Sequence, residues 1–442
     1  MQTSAHHSGP MKPTTRAKAD ELRKAGRLDD AVSEYSQLWP DEDPWTGWGY
    51  AYCLRKLGRS KEALAVAREV HALDPEFVLG RSVYAWSLYD VHIRGVEAPE
   101  PEVLKAAQMI VRLVGSGDKA YAPTSALVIT VLKVAKAWAS RTRDIRALEW
   151  LEKLDPTRLS TEPRRGRDER GRELELSSPR EQYFAIRTHA LERLGRWQAC
   201  LEITSTAMSE CGRLHHDNDI WFARRIALAK QHLGRPQEAL SDLRELAARK
   251  PTGFMQTDIA RAAWQAGDVD STYQHSLLAL LTPDEMGFKL EAVRLMAEVL
   301  WRRGDLELAR VHICLCLAVR DSKGWKADED LMRLASSWDV SGPRRDPHAI
   351  VGELQPLWRQ WRDDLTPKRT GTIVKILAHG HAGFIRANDG EQFYFETRDW
   401  KQGGAQPVEG AHVSFTTRPS FDRKRQRPTV VACEVRPGTV AH

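Results

Sequence analysis

No stretch of this chain approaches the roughly 20 consecutive apolar residues that a helix needs to cross a bilayer. A helical membrane protein is therefore not expected. Cysteine is also scarce, with six residues scattered over 442. That usage speaks against a disulfide framework and for a reduced compartment, with the cytoplasm as the expected address. The nearest pair is Cys314-x-Cys316, with His312 beside it. His312 and Cys316 are four apart and share a helix face. No second Cys or His cluster completes four ligands, so no metal site is expected. Residues 1–15 lack the apolar core of a signal peptide and read as a polar tail, with Met11 an alternative start.

Catalytic signatures are missing too. There is no phosphate-cradling Gly loop, no GxSxG, no HExxH and no paired CxxC. The densest ligand-like cluster is His215-His216-Asp217 with Asp219. It falls in the gap between two helical segments and reads as a connecting loop. The expectation is a protein that is not an enzyme and takes no cofactor.

What is present is a globular composition, 42% hydrophobic and 29% charged. The length allows a long array plus one small domain. The stretch Ile220 to Pro251 sets the pattern. Trp221, Ala223, Ile226, Ala227 and Leu228 recur at helical spacing, as do Ala239, Leu240, Leu243 and Leu246. Between them stands Leu233-Gly234-Arg235-Pro236. Gly suits the left-handed residue after one helix, and Pro suits the first turn of the next. Trp45 to Pro75 repeats the pattern around Gly58, and looser copies centre on Gly26, Gly195, Gly267 and Gly304. Small or polar residues stand where the helices must cross closely: Ala31, Ala63, Cys200, Ala239, Thr272 and Ala309.

These motifs resemble the tetratricopeptide repeat family, loosest around Gly26 and from Phe77 to Pro156. A lone helical hairpin cannot bury its apolar face, so the resemblance implies a stacked array over residues 16–338. It also implies that the first helix of each repeat lines a partner-binding concave face. Carried over by offset from each Gly, that face holds Trp45, Trp48, Tyr52 and Arg55, then His189 and Arg193. Trp221, Arg224 and His232 follow, then Phe254, Arg261 and Trp264, then Arg294, Trp301 and Arg302. Aromatics and arginines suit a protein or peptide partner, and equally a single-stranded nucleic acid.

Two stretches interrupt the pattern. Residues 157–179 are rich in Arg, Glu and Asp and nearly free of apolar side chains. Arg164, Arg165, Arg167, Arg170 and Arg172 could touch a polyanion, but Asp168, Glu169, Glu173 and Glu175 offset most of that charge, so the favoured reading is a solvated loop. Residues 339–365 form a Gly, Pro and Arg linker, then one amphipathic helix carrying Ile350, Leu354, Leu357, Trp358 and Trp361.

From residue 366 to 438 the period changes to that of short strands. They are expected at Gly371–Leu377, Ala382–Arg386, Gln392–Glu396, Val413–Thr417 and Thr429–Val435. Five strands in this length fit a small closed barrel. Gly383-Phe384-Ile385, Phe393-Tyr394-Phe395, Glu409 to Phe415 and Pro428 to Val435 resemble, in that order along the chain, motifs of the cold-shock domain. The resemblance implies an OB-fold whose outer face stacks bases of RNA or single-stranded DNA. Alternation places Ala382, Phe384, Tyr394 and Glu396 outside, with Ile385, Phe393 and Phe395 inside. Phe384 and Tyr394 keep the family's aromatic chemistry. Ala382, Glu396 and Lys375 replace three of its platforms. From Thr366 onward there are twelve Lys and Arg against seven Asp and Glu, nearly all of the chain's +6 excess. Arg418, Arg423, Lys424, Arg425 and Arg427 crowd one hairpin, where phosphates are the natural partners.

The expected fold is thus a mainly helical array followed by a cold-shock-like barrel. The expected function is a bacterial cytoplasmic adaptor. It holds a protein on the array and nucleic acid on the barrel, in nucleic-acid regulation or defence against foreign nucleic acid. The alternatives are a scaffold whose barrel binds no nucleic acid, or a subunit whose chemistry lies in its partner.

Overall fold

The computed structural model describes residues 15–437 except 40–42, 96–97, 116–117, 123–124, 168, 341–344, 366–367, 402–405 and 423–426. Two compact units make up the chain, Met1–Lys250 and Pro251–His442. The first holds α1 (Arg16–Lys24), α2 (Leu28–Leu38), α3 (Pro44–Lys56), α4 (Ser60–Leu73), α5 (Val78–Leu88) and α6 (Pro101–Val114). It continues with α7 (Ala126–Ser140), α8 (Asp144–Leu151), β1 (Arg164–Arg167) and β2 (Glu173–Leu176). It ends with α9 (Pro179–Arg193), α10 (Trp197–Glu210), α11 (Asn218–His232) and α12 (Pro236–Arg249). The second unit holds α13 (Gly253–Gln265), α14 (Val269–Leu280), α15 (Leu290–Arg302), α16 (Leu306–Ser322), α17 (Glu329–Ser337) and α18 (Pro347–Leu365). Five strands follow: β3 (Arg369–Ile376), β4 (Ala382–Ala387), β5 (Gln392–Glu396), β6 (His412–Asp422) and β7 (Arg427–Pro437).

The helices are paired into hairpins, and one local rule builds them. Gly26, Gly58, Gly195, Gly234, Gly267 and Gly304 all have φ between +65° and +86°. A left-handed residue there turns the chain back and lets two amides reach carbonyls of the last helical turn. After α3, Arg59 N–H donates to Leu54 O at 2.9 Å and Gly58 N–H to Arg55 O at 3.1 Å. After α11, Arg235 N–H donates to Lys230 O at 2.9 Å and Gly234 N–H to Gln231 O at 3.2 Å. Five residues beyond each Gly stand Ala31, Ala63, Cys200, Ala239, Thr272 and Ala309, every one 0% exposed. A larger side chain there would push the paired helices apart.

A further hairpin, α7–α8, obeys the rule without its glycine. Thr142 takes the left-handed position at φ 59°. Arg143 N–H closes the turn on Trp138 O at 3.1 Å, and Ala147, five residues beyond Thr142, is fully buried. The left-handed conformation costs a branched residue on the order of 1–2 kcal/mol. The sequence resemblance is loosest over this stretch because the hairpin's strongest mark, the glycine, is replaced.

The charged insertion corrects a sequence expectation. It is not simply a loop. β1 and β2 pair antiparallel, Arg164 opposite Leu176, and Ser177 and Ser178 at its end are buried. His215, expected in a mere connector, fixes this ribbon. Its ring bonds Glu181 Oε2 at 2.8 Å and Glu175 Oε1 at 2.9 Å, so it ties β2 to α9. Glu175, then Glu181, raise its pKa by favouring the charged ring.

In the second unit α18 buries Ile350, Leu354 and Trp358 against α14 and α16. Its pin is His312, fully buried on α16. Nδ1–H donates to Leu308 O at 2.7 Å, which leaves Nε2 to accept the Trp358 indole N–H at 3.0 Å. Burial pushes the His312 pKa down to about 4. Cys316, expected to be a packed helix residue, is buried one turn on.

β3–β7 close into a barrel in the order β3-β4-β5-β7-β6, with β6 returning to β3. Its core holds Ile373, Ile385, Phe393, Phe395, Val413, Phe415 and Val435. The three residues expected inside are inside. β6 and β7 run past the expected ends. Pro419 pairs opposite Val430, and the ribbon continues to Asp422 and Arg427.

Candidate nucleic-acid interface

The barrel register assembles one row of side chains across all five strands. Lys375 stands opposite Phe384, Phe384 opposite Tyr394, Tyr394 beside Val431, and Val431 opposite Arg418. Residues opposite each other share a face, so two aromatic rings lie between two cations. A bulge between Ile373 and Lys375 makes this possible. Ile373 points into the core opposite Ile385, and the extra residue Val374 turns Lys375 outward beside Phe384. Gly383 allows the close approach at that point, since a Cβ there would lie 2.5 Å from Lys375 O.

Phe384 and Tyr394 meet edge to face, with centroids 5.8 Å apart at 70°. Both are half-buried, so each keeps part of a ring open. Burial, then Glu396, hold the Tyr394 phenol above its ordinary range, which keeps it neutral. Arg418 lies 3.7 Å from Asp399 and is half exposed, and Lys375 is exposed. A second outward row holds Gln392, Arg386, Thr372 and His412. Arg386 was not singled out from the sequence, although alternation from Phe384 already placed it on this face. Arg427 starts β7, opposite Asp422. Arg423, Lys424 and Arg425 lie outside the described residues.

One expectation for this face needs correction. Ala382 belongs to the outer row by alternation, opposite Glu396, but is only 1% exposed. Its methyl stops short of the layer formed by the longer side chains around it. Glu396 itself is engaged by Arg398 at 2.5 Å.

The residues expected on the helical face have varied surroundings. Trp45 is 52% exposed and leads a ladder in which Trp48 lies 6.3 Å from it and Tyr52 6.0 Å from Trp48. Arg23 sits 4.7 Å over Trp48. Arg55 is tied to the buried Asp90 at 2.6 Å and covers Trp86. His189 and Arg193 reach a common cavity of the first unit. Trp221 is half-buried, Arg224 pairs with Glu192 at 3.0 Å, and His232 stacks flat on Trp197 at 3.9 Å. In the second unit Phe254 is 37% exposed. Arg261 and Arg294 share Glu291, at 3.2 and 2.7 Å. Arg302 covers Trp264 at 3.8 Å, and Trp301 stacks on Trp338 at 4.4 Å. Of these residues Trp45 is exposed, and Trp48 and Tyr52 are half-buried against the core. Arg261, Arg294 and Trp301 are instead matched within the unit: Glu291 of α15 reaches Arg261 on α13 and Arg294 on its own helix, and Trp338 follows α17.

A family model described as a domain of unknown function (DUF7017) matches residues 220–346. No curated protein matches the chain. Among solved structures, the chain is similar to the human IFIT1 dimer with PPP-AAAA, at 14% identity and a TM-score of 0.35. That match covers 77% of this chain and 74% of the other. It is similar to a tetratricopeptide repeat protein from Parabacteroides merdae at 10% identity and a TM-score of 0.27, covering 63% and 96%. It is also similar to the P58(IPK) TPR domain at 14% identity and a TM-score of 0.24, covering 78% and 98%.

Proposed function

We propose that this protein is a non-enzymatic adaptor. Its barrel takes up single-stranded RNA or DNA, and its helical hairpins hold a protein partner. The observation that carries the reading is the row Lys375, Phe384, Tyr394, Val431, Arg418. Aromatic faces stack bases of any sequence, and flanking cations meet the phosphates on either side. The strand order and the basic excess after residue 366 support the same reading, as does the motif resemblance to cold-shock domains. The ladder led by the exposed Trp45 is the surface proposed for the protein partner.

Fluorescence anisotropy of the whole chain with a short labelled oligonucleotide, across a salt series, tests it. Phe384→Ala with Tyr394→Ala should cost roughly 2–6 kcal/mol if both rings stack a base, with the salt slope nearly unchanged. Lys375→Gln with Arg418→Gln should flatten that slope by about 0.7 per lost phosphate contact. Absence of salt-sensitive binding at low ionic strength would return the barrel to a purely structural or protein-binding role.

A further inference from the structure

A cavity of about 900 Å³ opens in the first unit among α7, α9, α11 and the β1–β2 ribbon. Such a volume matches small-molecule sites, which usually span roughly 300–1,000 Å³. Its charge is one-sided. Lys133 and Lys136 from α7, Arg164 from β1, Arg193 from α9 and Arg225 from α11 line it, and no Asp or Glu does. Asp144 answers Arg193 at 3.2 Å, and Glu192 answers Arg225 at 3.0 Å while also holding Arg224. Lys133 Nζ donates to the Arg94 carbonyl. Among the described residues, no carboxylate lines the cavity beside Lys136 and Arg164.

Arg164 Nε and Arg225 Nη1 have no hydrogen-bond partner among the described residues and are shut off from water, so a ligand in the cavity reaches them only if these side chains turn toward it. Arg225 is only 9% exposed. Buried donors nearly always find an acceptor, and charged ones gain most from an anionic oxygen. The rest of the wall is apolar. Leu132 and Ile186 contribute to it, with the ring of Tyr89, which has Lys133 Nζ 5.9 Å from its centroid. A bare inorganic anion would leave that side unused. An anion carrying a flat ring would use both.

We propose that this cavity binds a nucleotide, with its phosphates against Lys133, Lys136, Arg164 and Arg225 and its base against Tyr89 and the apolar wall. The site is separate from the barrel face, and the inference does not rest on nucleic-acid binding there.

Isothermal titration calorimetry of the whole chain with ATP, tripolyphosphate and adenosine at low salt tests it. ATP should bind, tripolyphosphate more weakly, and adenosine not measurably. Lys136→Gln with Arg164→Gln should weaken ATP by about tenfold or more, as expected for two charge-assisted hydrogen bonds. Lys105→Gln, on the exposed face of α6, should change nothing. Tyr89→Leu should weaken ATP and leave tripolyphosphate as it was. No heat with ATP would overturn the proposal, as would ATP binding that survives the double substitution. Tripolyphosphate binding as tight as ATP would also overturn it. Phe384→Ala with Tyr394→Ala should leave ATP affinity intact, and the cavity variant should leave oligonucleotide binding intact, so either reading can fail alone.

Discussion

His189 and Arg261 stand at the same offset, six residues before Gly195 and Gly267. Their surroundings differ completely. Arg261 is held by Asp258 and by Glu291, each at 3.2 Å, and Glu291 also holds Arg294. His189 faces the cavity, where burial, then Arg225, keep its pKa below the ordinary range. The second unit answers its cations from its own helices. The first leaves several to face an opening. On one scaffold, then, the position on the hairpin does not decide whether a charge is structural or available. What differs is the carboxylates within reach: Arg261 has two, from its own helix and from α15, whereas the lining of the first unit's cavity has none among the described residues.

That contrast can be tested by breaking each side of it. The largest effect should come from acid, acting on the sealed polar pair of the second unit. His312 titrates near 4 when folded and near 6.5 when unfolded. Its contribution is intact above pH 6.5 and is lost as pH falls from there to about 4. The loss should total roughly 3 kcal/mol. Denaturant unfolding at a series of pH values should show this slope, and His312→Gln should remove it. An unchanged slope in that variant would mean the ring is not sealed.

Next in size is Glu291→Gln, which strips the shared partner from Arg261 and Arg294. With Glu291 31% exposed, thermal denaturation should show a loss of about 2 kcal/mol, below the full cost for a buried pair. A change within experimental error would erase the distinction between the two units.

Thr142→Gly should stabilise the protein by about 1 kcal/mol, because it removes the left-handed strain from the hairpin that carries Lys133 and Lys136. Urea unfolding measures it, and a destabilised variant would show that the Thr142 side chain supports the turn. The smallest effect should be Lys136→Gln, within about 0.5 kcal/mol of the parent by thermal melting. A large loss there would make the cavity's cations structural after all.

Much of this was legible in the sequence, for stated reasons. Six glycines and the small residues five positions later mark the hairpins, since both obey local backbone rules. Alternation placed Ile385, Phe393 and Phe395 in the barrel core. What stayed hidden depended on partners distant in sequence. Thr142, in a glycine's place, left the repeat pattern loosest over the α7–α8 hairpin. The ribbon Arg164–Leu176 looked like a loop because its charges balance on paper, while His215, some 40 residues away, holds it down. Arg261 looked available because Glu291, on the next hairpin, could not be placed beside it, whereas the three-residue spacing of Glu291 and Arg294 on one helix was legible. Tyr89, Lys133, Lys136 and Arg225 were not recognised, since only the fold brings them to one cavity.

The bond between His312 and Trp358 also sets a leash. It fastens α18 to the helices behind it, and α18 ends at Leu365 while β3 begins at Arg369. Four backbone steps extend at most about 14 Å. Whatever the barrel takes up therefore remains within a short arm of the second unit's helices. A second molecule seated on those helices would meet it at an effective concentration set by that arm rather than by the bulk solution.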